Sequence, residues 1–172
     1  PSDTFIFFQL LDENDMMIHS MRSGTVLQAG ERTGCVGCHD QRQAAPSFTS
    51  GAAPAALRRE PSQIAPWYGA PRIFGYMAEV QPVFEKNCVR CHDFGREAGK
   101  KLILAGDKDP FFNASYTQLW RKGYIKAIGA GPASVQPAYA WGSHRSKIVE
   151  VLRKGHNAIK LDKESMDRIV TW

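Results

Sequence analysis

Along the first twenty-five residues the apolar positions crowd into two runs. Thr4–Leu11 and Met16–Arg22 are aromatic, β-branched and Met-rich, and Asp12–Glu13–Asn14–Asp15 separates them. Two such runs around a short polar turn predict a β-hairpin. Strand alternation puts Met17, His19 and Met21 on one of its faces. Between residues 77 and 91 the period changes. Val80, Val83, Phe84, Cys88 and Cys91 recur at helical spacing, which predicts an amphipathic helix with both cysteines on its buried stripe. Pro82 is tolerated only in a first turn, so that helix starts near Gln81. A long loop with Gly106, Asp107 and Pro110 follows, then a short helix around Tyr116–Arg121 and a Gly- and Pro-broken stretch to Gly142. Two closing helices are predicted. Ser146–Arg153 carries Ile148, Val151 and Leu152 on one face, and Lys163–Trp172 carries Met166, Ile169 and Val170, with Asp162 as its N-cap.

Between the two halves, residues 44–71 are rich in Ala, Pro and Ser, with Pro46, Pro54, Pro61 and Pro66. Such a stretch predicts an irregular connection. It divides the chain into an N-terminal part, residues 1–72, and a C-terminal part, residues 73–172. No apolar run approaches the roughly eighteen residues that span a bilayer, and no leader pattern stands at Pro1. That suits a mature or excised fragment.

Composition narrows the class. Of 172 residues, 43% are hydrophobic and 23% charged, a balance that supports a packed core rather than disorder. Twenty-two Lys and Arg against seventeen Asp and Glu leave +5. The cations are scattered, with only short pairs such as Arg58–Arg59, which argues for a solvated surface and no nucleic-acid partner.

The four cysteines decide the chemistry. All fall in two CxxCH units, Cys35–Val36–Gly37–Cys38–His39 and Cys88–Val89–Arg90–Cys91–His92. Two thiols two residues apart can add to the two vinyl groups on one side of a porphyrin, and the next residue carries an imidazole to the iron. The cofactor expected is therefore two covalently bound haem c groups, with Cys35, Cys38, Cys88 and Cys91 as attachment points and His39 and His92 as iron ligands. Zinc is the competing reading, but the two pairs stand further apart than ribbon spacing allows. A thioredoxin-like reading lacks its βαβ context.

Three histidines remain for the sixth positions. In Gly155–His156–Asn157–Ala158–Ile159–Lys160–Leu161, ahead of the last helix, there is a His and no Met, which makes His156 the first candidate for the second iron. His144 is its rival. His19 could close over the first iron from the hairpin, or that position could be open.

With these features in place the sequence resembles the haem-binding C-terminal part of the hydrazine synthase alpha subunit and its relatives, large multidomain proteins of planctomycete-type bacteria. The matching stretches are Phe8–Gln9–Leu10–Leu11–Asp12–Glu13, Met21–Arg22–Ser23, the first CxxCH unit, Val80–Gln81–Pro82–Val83–Phe84, Phe112–Asn113–Ala114–Ser115–Tyr116, Gly142–Ser143–His144–Arg145–Ser146 and Asp167–Arg168–Ile169–Val170–Thr171–Trp172. The resemblance implies a catalytic first haem, approached by a tyrosine four residues after the haem histidine, and a bis-histidine second haem that passes electrons. Position 43 is Gln43 here, which cannot supply a phenolate, so the resemblance implies a dihaem module more than the reaction itself.

These readings lead to one expectation of fold and three of function. The fold expected is mainly α, two cytochrome c-like haem modules with long irregular loops and an N-terminal β-hairpin. The leading function is electron transfer between a redox partner protein, or attached domains of a larger parent chain, and an acceptor, in the periplasm or another extracytoplasmic compartment. Catalysis on a small nitrogen or oxygen species at the first haem is the alternative, for which Asp40, Arg42 and Gln43 would have to supply acid or base. The third is a gas-binding sensor module.

Overall fold

The computed structural model describes residues 3–31, 43, 58–60, 63–128 and 134–172. The chain forms two compact units, one of residues 1–6 and 24–71, the other of residues 7–23 and 72–172. In the first, β1 (Phe5–Ile6) pairs antiparallel with β4 (Thr25–Val26), with Phe5 opposite Val26. The Asp3 amide donates to the Leu27 carbonyl at 2.9 Å and extends the pairing. A β-carbon at Gly24 would lie 2.1 Å from Cζ of Phe5, so the ring packs where only hydrogen fits.

The second unit opens with the hairpin, β2 (Gln9–Leu11) against β3 (Met17–Ser20). Gln9 faces Ser20 and Leu10 faces His19, with a register irregularity between Leu10 and Leu11. Asp12 builds the turn. Its Oδ1 accepts from the amides of Asn14 and Met16, at 2.8 and 2.9 Å, as an aspartate at a turn start does. The hairpin forms as its sequence predicts, although Thr4–Leu11 does not stay one strand. Nor does alternation hold its face together, since Met17 is buried and His19 exposed.

Among the described residues five short α-helices follow: α1 (Gln81–Asn87), α2 (Glu97–Lys101), α3 (Ala114–Arg121), α4 (Lys147–Lys154) and α5 (Lys163–Thr171). A π-helical turn, Tyr76–Val80, leads into α1, and Pro82 sits in the first turn of α1, where its missing N–H costs nothing. The side chain of Asn113 caps α3 by accepting from the Tyr116 amide, and Asp162 caps α5 by accepting from the Ser165 amide at 2.7 Å. Val80, Phe84 and Leu119 are fully enclosed, with Leu102, Leu104, Ile148, Val149 and Ile169 around them. Met16 of the hairpin turn joins the same cluster.

The expectation of a mainly α fold built of two cytochrome c-like haem modules is not met. Helix takes up about 33% and strand 11% of the described residues, and no haem modules are evident among them. The reason is punctuation. α4 stops at Gly155, whose φ is +86°, and the chain turns at Gly123 two residues after α3, at φ +69°. Each is a conformation that ends a helix and that glycine adopts without strain.

Candidate functional site

The second CxxCH unit sits where α1 gives out. Asn87 turns its side chain back to donate to the Val83 carbonyl at 2.8 Å. Cys88 takes the C-cap position with φ −124°, and the Cys88 carbonyl then accepts from the amides of Cys91 and His92, at 3.1 and 2.9 Å. The helical period therefore ends at Cys88. Cys88 is buried in the core cluster, whereas Cys91 is exposed. The expectation that both cysteines share one buried stripe is corrected by this early helix end. No disulfide joins them. Burial, and then the neighbouring Cys91, pushes the Cys88 thiol up to about 11, so it stays protonated at neutral pH.

His92 is held at two points by one buried strap. The Leu104 amide donates to the His92 carbonyl at 2.8 Å, and His92 Nδ1 lies 2.8 Å from the Leu102 carbonyl. A carbonyl can only accept, so Nδ1 is the donating nitrogen, and in the neutral ring Nε2 then carries the lone pair. The strap is fixed in its turn. Gln81 Nε2 donates to the Leu104 carbonyl at 3.0 Å, and Gln81 Oε1 accepts from Asn113 Nδ2 and Ser115 Oγ. Ser115 Oγ also lies 2.6 Å from the Tyr76 hydroxyl, whose ionisation burial pushes well above the usual tyrosine range. Behind His92, Gly99 closes the loop, because a β-carbon there would stand 1.9 Å from the Asp93 carbonyl oxygen.

Facing His92 is His156, on the turn between α4 and α5. The ring centroids are 5.8 Å apart, with the planes at 42°. The His156 carbonyl accepts from the Ile159 amide at 2.9 Å across Asn157 and Ala158, both at positive φ, +50° and +60°. That is the two-residue reversal with both central residues left-handed, which carries the chain back on itself. Two imidazoles that ligate one iron from opposite sides, each with a metal–nitrogen bond of about 2 Å, hold their centroids about 6 Å apart. The pair fits that separation. Among the described residues no three His, Cys, Asp or Glu groups stand so as to hold a metal ion among them.

The remaining histidines are elsewhere. His144 lies in the 3-10 turn Ser143–Arg145, with Nε2 3.0 Å from Asp12 Oδ2 and its ring edge-on to Tyr139 at 4.8 Å. Burial pushes the Asp12 carboxyl up, but the Met16 and Asn14 amides and His144 outweigh it and leave it below the usual range. His19 is exposed on β3. Cys35, Cys38 and His39 lie outside the described residues, and Gln43 is exposed. Sequence reasoning misses the Leu102–Leu104 strap, whose signal is the apolar run Leu102–Ile103–Leu104–Ala105. It also misses the His156 turn, signalled by Asn157, a residue that tolerates the left-handed conformation.

Residues 1–40 match the sequence model of the hydrazine synthase alpha subunit middle domain. The matched stretch covers the hairpin and the first CxxCH unit. The likeness to hydrazine synthase alpha thus stands for the N-terminal part, but with the middle domain and not with a C-terminal haem region. No curated protein and no solved structure matches the chain.

Proposed function

We propose that the chain is an electron-transfer domain of a larger protein related to the hydrazine synthase alpha subunit. It carries two covalently bound haem c groups, one on Cys35, Cys38 and His39, the other on Cys88, Cys91 and His92 with His156 as the opposite donor. The observation that carries this reading is the His92–His156 pair at 5.8 Å, directly after a CxxC unit. Bound haem c supplies one-electron chemistry. The chain's own residues orient the donors. The Leu102 carbonyl holds the His92 proton on Nδ1, which leaves Nε2 for the iron, and that hydrogen bond fixes the orientation of the ring.

The middle-domain likeness supports attachment to further domains, one of which, or a separate redox protein, would exchange electrons with it. Haem c is attached outside the cytoplasm, so an extracytoplasmic compartment goes with this reading. Among the described residues no helix is long and apolar enough to cross a membrane.

Intact mass after expression with haem c maturation tests attachment, and the expected gain is two haems. His156→Ala should then convert one haem from low to high spin in the oxidised paramagnetic resonance spectrum, while His144→Ala leaves the low-spin signal of that haem unaltered. A cofactor extracted by acidified acetone, or a high-spin change produced by His144→Ala alone, overturns the assignment.

A further inference from the structure

The two imidazoles of the pair are held very unequally. His92 has two hydrogen bonds to a strap whose Leu102 and Leu104 are each 3% exposed. His156 rides on an exposed turn outside any helix or strand, bounded by Gly155 at φ +86° and reversed through Asn157 and Ala158. Asparagine tolerates the left-handed region. Alanine does not, because its β-carbon crowds the following carbonyl, and glycine is the residue such a turn prefers at that position. The turn that presents His156 is therefore strained at Ala158 and exposed to solvent, whereas the strap behind His92 is neither. The ring also has another partner waiting. Asn157 Nδ2 lies 3.3 Å from His156 Nε2, and an amide N–H there donates to a free imidazole lone pair.

From this asymmetry we infer that the position His156 occupies opposite His92 is an exchangeable binding site for a neutral diatomic ligand. Carbon monoxide replaces His156 on the reduced protein while His92 stays. The inference rests on the haem reading of Cys88, Cys91 and His92. The step balances without redox change: the dative bond from the His156 nitrogen breaks, one from the carbon of carbon monoxide forms, and the imidazole lone pair passes to the Asn157 amide. The site would then serve small-ligand binding as well as electron passage.

The experiment is stopped-flow mixing of the dithionite-reduced, fully haem-loaded chain with carbon monoxide, followed optically. The second haem is identified as the one that His156→Ala turns high-spin. In the unaltered protein that haem should bind carbon monoxide at a rate that levels off as the gas concentration rises, the mark of a ligand that must first leave. His156→Ala should bind at a rate proportional to the gas throughout.

If the second haem takes up no carbon monoxide in the unaltered protein but does so in His156→Ala, the exchange is overturned and the haem reading stands. If intact mass shows no second haem, or His156→Ala changes neither haem, the ligand assignment itself fails.

Discussion

At the scale of single residues the site depends on one close approach as much as on its donors. Gly99 lies on α2, and the position of its missing β-carbon is taken by the Asp93 carbonyl, a backbone group that cannot swing aside. Gly99→Ala should therefore destabilise the protein by about 1–3 kcal/mol, the usual cost of overpacking. Urea unfolding checks this, and an unchanged midpoint would mean that the loop after His92 gives way freely. How far such residues can be read from sequence varies with the physics involved. Cys88, Cys91 and His92 are legible as one CxxCH unit because they stand together in the chain. The sequence prefers His156 to His144 from its place ahead of the last helix; the structure sets the His156 ring 5.8 Å from that of His92, and His144 Nε2 3.0 Å from Asp12 Oδ2. The opposite exposures of Cys88 and Cys91 are not legible, because they follow from where α1 stops.

At the scale of elements, α5 ties the end of the chain to the π-turn before α1. Ile169 is buried in the core, and Trp172 stands 4.6 Å from the Tyr76 ring, centroid to centroid. The same contact holds a buried carboxylate. Glu79 receives Arg72 through Nε at 2.5 Å and Nη2 at 2.8 Å, and Arg168 of α5 through Nη1. The Arg72 hydrogen bonds above all, and then the charges of Arg72 and Arg168, hold the Glu79 carboxyl below its ordinary 4.5. A carboxylate lowered in the folded state contributes stability that is fully present above its unfolded value and is lost as the pH falls through the folded one. Unfolding midpoints in urea should thus fall between about pH 6 and about pH 3, and Arg72→Met should flatten that fall. A variant with the same acid profile as the unaltered chain would remove Glu79 from the account. These elements were in good part legible. Amphipathic spacing locates α4 and α5 to within one residue at each end, and Asp162 announces the start of α5. The π-turn and α2 were not. Five residues with Gly99 in the middle carry too little periodicity, and α2 is stable because the chain around it is packed.

At the scale of the molecule, the β-hairpin belongs to the same compact unit as residues 72–172. A sequence break in the Pro- and Ala-rich stretch cannot reveal this, because the hairpin is joined to its unit by contacts far apart in the chain. The Met17 amide donates to Ser143 Oγ at 3.1 Å, the Tyr139 amide donates to the Ile18 carbonyl at 2.9 Å, and Lys163 pairs with Asp15 at 3.1 Å. Met16 is 4% exposed within the core cluster. Burial of a methionine side chain alone contributes roughly 1.5–3 kcal/mol, and the freed Ser143 and Tyr139 groups would lose partners as well. A polypeptide of residues 72–172 should therefore unfold at a lower urea concentration than the whole chain. Adding a synthetic peptide of residues 7–23 should restore the midpoint in a saturable way, because a ligand that binds only the folded state stabilises it by mass action. A peptide with Met16→Asp should not. If residues 72–172 alone were as stable as the whole chain, the hairpin would be an appendage, and the core that fixes the strap behind His92 would be complete without it.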